Sequence, residues 1–111
     1  MKQLTGPELL ALHTAGTAPQ PLLLDVREGW EFEAAAIHLP GWTTRLLPMG
    51  GLPAGLGQLD PLQPVVCICH HGARSAQVVA FLEREGFSAV YNLAGGIDAW
   101  STQVDAAVPR Y

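Results

Sequence analysis

An α/β fold built on a parallel sheet is what this sequence predicts, on three observations. Leu22–Asp25, Val65–Ile68 and Ala89–Leu93 are short, mostly apolar runs, the pattern of strands buried on both faces. Helical stretches stand between them, with apolar residues at helical spacing in Ala76, Val78, Val79, Phe81 and Leu82. Glycine and proline punctuate the junctions. Strands that alternate with helices are joined by crossovers, so the sheet is parallel and carries helices on both faces.

The 111 residues suffice for one domain, residues 1–111, but not for two. A hydrophobic content of 49% excludes a disordered chain, and a formal net charge of -4 argues against nucleic acid or an anionic membrane as partner. Met1–Leu12 is interrupted by Thr5, Gly6, Pro7 and Glu8, so it does not read as a leader, and no apolar run approaches the roughly 18 residues of a membrane span. The expected setting is a reducing cytoplasm. Cys67 and Cys69 are too close in the chain to staple a fold as a structural disulfide.

In chain order, Met1–Leu4 suits a small edge strand. Thr5-Gly6-Pro7-Glu8 is a capping box that opens a helix with Leu9, Leu10 and Leu12 on its apolar side, ended by Gly16 and Pro19. Leu22–Asp25 is a buried strand closed by an acid. Asp25, Val26, Arg27 and Glu28 then fall at a strand's carboxyl end, where open α/β sheets hold their ligands. Trp30–Ile37, rich in Ala and Glu, predicts a helix ended by His38-Leu39-Pro40-Gly41, with His38 structural or exposed. Between Pro40 and Pro64 glycines and prolines leave room only for short elements: a brief strand at Arg45–Leu47 and a helical turn or two at Ala54–Leu59. Its leucines make that segment an ordered cover over the sheet. Gly86 reads as the residue that ends the second long helix, Gly95-Gly96 permits close backbone approach, and Ile97–Ser101 reads as a short helix. Thr102–Tyr111 carries no signal.

The chemistry concentrates in Pro64–Ser75, P-V-V-C-I-C-H-H-G-A-R-S. A β-branched strand breaks at Cys69 into a polar loop with Gly72, and an apolar-periodic helix restarts at Ser75. A strand, a tight loop and a helix N-terminus make a site for an anion, because loop amides converge and the helix dipole adds positive charge. Cys69 faces that point and Arg74 adds a permanent charge, so the thiol is expected to ionise below the free value of about 8.5. The residues thus point to nucleophilic sulfur chemistry on an anionic substrate.

C-H-H-G-A-R-S resembles the active-site loop of single-domain rhodaneses, the sulfurtransferases. L-L-D-V-R-E at Leu23–Glu28 and V-Y-N-L-A-G-G-I-D-A-W at Val90–Trp100 resemble two further blocks of that family, in its order and spacing. The resemblance implies a three-layer rhodanese-like fold with a five-stranded parallel sheet. It also implies that Cys69 thiolate attacks the outer sulfur of thiosulfate or a related sulfane donor, then holds a persulfide until a thiophilic acceptor removes the sulfur. The acceptor is a small thiol or a protein. The backbone of His70, His71, Gly72, Ala73, Arg74 and Ser75 is expected to bind the substrate, and Arg74 its sulfonate end. Asp25 or Arg27 orients the loop, and no metal or organic cofactor is implied.

Rival readings treat Cys69 as a core residue, or group Cys67, Cys69, His70 and His71 as metal ligands. Four ligands within five residues close poorly on one ion. A cysteine-loop phosphatase uses the same thiolate and arginine, but its loop is a residue longer than the His70-His71-Gly72-Ala73 interval here. The shorter cradle suits a single sulfur atom. A persulfide-carrying or regulatory binding module, sharing the loop but serving a protein partner, is the alternative from another class.

Overall fold

The computed structural model describes residues 2–111. Five strands form one parallel sheet in the order β1-β5-β4-β2-β3: β1 (Lys2–Leu4), β2 (Leu22–Asp25), β3 (Thr44–Leu46), β4 (Val65–Ile68) and β5 (Val90–Leu93). Every residue of β2 and β4 is buried. Alternate side chains therefore feed two cores. Leu22, Leu24, Val65 and Cys67 meet Val78, Val79 and Leu82 of helix α4 (Ala73–Arg84). Leu23, Val66, Ile68 and Leu93 meet Leu9 of α1 (Gly6–Thr14) and Ile97 and Trp100 of α5 (Gly96–Gln103). Two helix layers thus enclose the sheet, as a parallel sheet with apolar faces requires. Among the described residues no helix is long and apolar enough to cross a membrane.

The α1 capping box forms as expected: Thr5 Oγ1 accepts from the Glu8 amide at 3.2 Å and Glu8 Oε1 from the Thr5 amide at 2.9 Å. Lys2–Leu4 is the edge strand expected at the start, with Met1 outside the described residues. In the proline-rich segment α3 (Leu52–Gly55) is flanked by single 3-10 turns, and it buries Leu52 against the α4 side.

Two helices differ from their sequence expectations. The helix expected over Trp30–Ile37 is α2 (Gly29–Ala34), and Ala35 is already extended at φ -162°. Ala35, Ile37 and Leu39 instead drop alternately into the core, and the Ala35 carbonyl accepts from the Arg27 guanidinium at 2.6 Å. Burial and a charged hydrogen bond outweigh alanine's small helix preference. Helix α4 starts at Ala73, not Ser75, with Gly72 as N-cap at φ 106°. Arg74 is therefore a first-turn helical residue rather than the end of a loop.

Candidate active site

The carboxyl ends of β2, β4 and β5 meet at one edge of the sheet, where Cys69 leaves β4. Its Sγ sits inside the turn that links β4 to α4. It accepts hydrogen bonds from the Gly72 amide at 3.0 Å, the Ser75 amide at 3.3 Å and the Ser75 hydroxyl at 3.2 Å. The inner side of the loop thus presents donors to sulfur, and those donors belong to the N-terminus of α4, the positive end of its dipole. Of the backbone expected from His70 to Ser75, these two amides bond the sulfur.

The loop's outer side is held by α5. The Ile97 amide donates to the Cys69 carbonyl at 2.9 Å, and the Asp98 amide to the His70 carbonyl at 3.1 Å. Such an approach leaves no room for a side chain: a Cβ on Gly96 would lie 2.4 Å from both carbonyl oxygens. This is the close backbone approach that Gly95-Gly96 suggested. With its carbonyls turned out to α5, the loop can turn its amides in toward Sγ.

Asn92 of β5 supports the loop from below. Its Nδ2 donates to the Gly72 carbonyl at 3.2 Å and to Gln3 Oε1 at 3.1 Å, while Oδ1 takes a short hydrogen bond from the Ser75 hydroxyl. Ser75 has one hydroxyl proton and three acceptors within reach: Sγ, Gly72 O and Asn92 Oδ1. An amide in the middle of an apolar strand is a polar anomaly, and that signal was available in the sequence.

Cys67 is fully buried within β4. Burial pushes its thiol up to about 12, with the neighbouring Cys69 adding to the rise, so Cys67 stays neutral. Of the two free cysteines, Cys69 has the donors.

Around the loop stands a network of charges that joins Arg74, Asp25 and Arg27 to Glu31, which the sequence did not single out. Arg74 is not a free cation. Its Nη1 and Nη2 donate to the two carboxylate oxygens of Glu31 at 2.6 and 2.8 Å. Those bonds hold the Glu31 carboxyl down at about 2, against burial, which alone would raise it; the Tyr111 hydroxyl and the Glu28 amide assist. Asp25 and Arg27 form a fully buried ion pair at 2.6 Å. They touch the loop only through intermediaries: Arg27 donates to the Glu31 carbonyl at 3.3 Å and to the Tyr111 hydroxyl at 2.9 Å. Tyr111 stacks on His70 at 4.1 Å between ring centroids, and His70 stacks on His71 at 4.0 Å. The tail that carried no signal therefore supplies a ring to the site. Partial burial, followed by His71, keeps His70 below the ordinary imidazole range, so it is neutral at neutral pH. His71 and Ala73 are exposed.

Three residues quoted for no function are thus part of the site: Glu31, Asn92 and Tyr111. Glu31 was one of two acids in W-E-F-E, and nothing local distinguishes it. Among the described residues no three His, Cys, Asp or Glu side chains gather as a metal site would need.

With this geometry in place, the comparisons with known proteins decide the family. The rhodanese-like domain model matches residues 7–103. The chain belongs to the rhodanese-like domain family. It is 41% identical over 91 residues to the chloroplastic rhodanese-like/PpiC domain-containing protein 12 of Arabidopsis thaliana, covering 80% of this chain and 30% of that one. The rhodanese-like chain thus spans less than a third of that relative's length. A rhodanese-like domain protein from Staphylococcus aureus superposes with a TM-score of 0.76 at 31% identity, covering 90% of this chain and 91% of that one. The polysulfide-sulfur transferase homodimer of Wolinella succinogenes superposes at 0.75 with 29% identity, over 100% of this chain and 78% of that one. The five-stranded α/β architecture is the rhodanese-like fold, and sulfur transfer is the chemistry to which the family fits.

Proposed function

We propose that this rhodanese-like chain moves a sulfane sulfur from thiosulfate or a related donor to a thiophilic acceptor through a persulfide on Cys69. The observation that carries the reading is the convergence of the Gly72 amide, the Ser75 amide and the Ser75 hydroxyl on Cys69 Sγ. The two amides aim their N–H groups at the position a reacting sulfur occupies. Cys69 is 1% exposed, which suits a reaction that brings in one sulfur atom rather than a bulky group.

In the first step the Cys69 thiolate attacks the outer sulfur of the donor. A sulfur–sulfur bond forms as the donor's own breaks, and the leaving group takes the electron pair, as sulfite when the donor is thiosulfate. In the second step a thiol or cyanide attacks the outer sulfur of the persulfide and Cys69 leaves as thiolate. Both steps are displacements at sulfur, so the same donors serve twice. Asp25 and Arg27 act in this reading as positioning residues, through Glu31 and Tyr111. The two free thiols suit a reducing setting such as the cytoplasm.

The test is steady-state transfer from thiosulfate to cyanide. Cys69→Ser is expected to abolish it and Cys67→Ser to retain most of it. Equal loss in both variants would point instead to a paired-cysteine site.

A further inference from the structure

We propose that Tyr111 is a positioning residue for sulfur transfer, and that residues 104–111 form a brace that holds the two ends of the cysteine loop. The inference rests on the sulfur-transfer reading and adds to it a residue outside 7–103, the segment that matches the family model.

The first observation is where Tyr111 reaches the loop. Cys69 Sγ takes its hydrogen bonds from Gly72 and Ser75, so those donors work only while Cys69 and Ser75 keep a fixed separation. The Tyr111 ring stacks on His70, the residue after Cys69, with 4.1 Å between centroids and 14° between planes. Its hydroxyl donates to Glu31 Oε2 at 2.8 Å, and the same oxygen accepts from Arg74, the residue before Ser75, at 2.8 Å. One side chain thus holds the loop near both ends, directly at His70 and through a single carboxylate at Arg74.

The second observation is the hydroxyl's place between two ion pairs. Arg27 Nη1 donates to it at 2.9 Å, and Arg27 belongs to the fully buried pair with Asp25. A phenol hydroxyl accepts from one group while donating its proton to another. Burial keeps the Tyr111 phenol above its ordinary value, so it is neutral at neutral pH. It therefore links the Asp25–Arg27 pair to the Glu31–Arg74 pair without adding a charge. Tyr111→Phe keeps the stack on His70 and loses both bonds.

The third observation is the anchorage of the brace. Val108 is buried in the core with Ile97 and Trp100 of α5, and its carbonyl accepts from the buried Ser101 hydroxyl at 2.6 Å. Arg110 donates to Asp98 at 2.9 Å, and the Asp98 amide is the one that holds the His70 carbonyl. The segment is thus fastened to α5, the helix that grips the outer side of the loop. Trp30 packs edge-on against the Tyr111 ring, 6.1 Å between centroids. Tyr111 is held from several sides and can pass that order to the loop. Misplaced reacting groups cost rate more than affinity.

The experiment follows loading of Cys69 by thiosulfate in single turnovers, read by intact mass. The urea midpoint of each variant is measured, so that rates refer to folded protein. Tyr111→Phe is expected to lower the maximal loading rate about threefold to tenfold, with the half-saturating thiosulfate concentration unchanged within about twofold. Tyr111→Ala, which removes the ring as well, is expected to lower the maximal rate about thirtyfold. If Tyr111→Ala unfolds, Tyr111→Phe carries the test alone. A maximal rate per folded molecule equal to the wild type in Tyr111→Phe would overturn the inference. A loss confined to the half-saturating concentration would overturn it too, since Tyr111 would then be a substrate contact. Both results leave sulfur transfer intact. Failure of thiosulfate to load the wild type would overturn transfer from that donor, and the inference with it.

Discussion

Glu31 and Arg74 meet fork to fork, with two guanidinium nitrogens on two carboxylate oxygens at 2.6 and 2.8 Å. This pair joins α2 to the first turn of α4 and, through Arg27, ties Asp25 at the end of β2 to the helix that follows the cysteine loop. Arg74 in turn is held firmly protonated by Glu31, first through the hydrogen bonds and against burial. Arg74, in the first turn of α4, thus acts as a clamp on the helix that supplies the donors to Cys69 Sγ.

The clamp makes stability depend on pH. The Glu31 carboxyl titrates at about 2 in the folded chain, below its ordinary value of 4.5. A lowered folded value stabilises the protein above the unfolded one, and that contribution is lost as pH falls from about 4.5 through about 2. Urea midpoints measured across this window are expected to drop in the wild type and to drop less in Glu31→Gln. Identical slopes in the two proteins would remove the clamp from the account.

Gly96→Ala tests how α5 sets the loop. At φ 63°, with a Cβ 2.4 Å from the Cys69 and His70 carbonyl oxygens, alanine must displace the backbone. We expect at least about 2 kcal/mol of destabilisation, from the left-handed conformation and the clash together. Activity is expected to fall further than stability explains, since the displaced loop carries the Cys69 donors. Chemical unfolding and kcat/KM on the same sample separate the two effects.

The loop's length admits a third test. A glycine inserted between Gly72 and Ala73 moves the Gly72 and Ser75 amides apart, and they no longer converge on Sγ. Thiosulfate activity is expected to be lost. Aryl phosphate hydrolysis by the unmodified chain, at a rate rivalling its sulfur transfer, would show that loop length does not select sulfur over phosphate.

Strand identities and the place of Cys69 at a strand's end were legible because they are local. Val65–Ile68 is apolar in any register, and the position of Cys69 at its end follows from the next residue being polar. The capping box of α1 is likewise written in four consecutive residues. What stayed hidden depends on contacts across the fold. Ala35 leaves the helix because Arg27 and the core take it, and no window of sequence contains that competition. Glu31 meets Arg74 across 43 positions and Tyr111 meets Glu31 across 80, so neither partner could be chosen from spacing. Asn92 was visible as a polar residue in a buried strand, but its partners Gly72 and Ser75 were not.

The central claim is that Cys69 carries the sulfur. Intact-mass measurement after incubation with a sulfane donor, followed by peptide mapping, addresses it directly. The account predicts the gain of one sulfur atom on the peptide at Cys69, reversed by cyanide, absent in Cys69→Ser and present in Cys67→Ser. A stable sulfur on Cys67, or the same gain in Cys69→Ser, would contradict it.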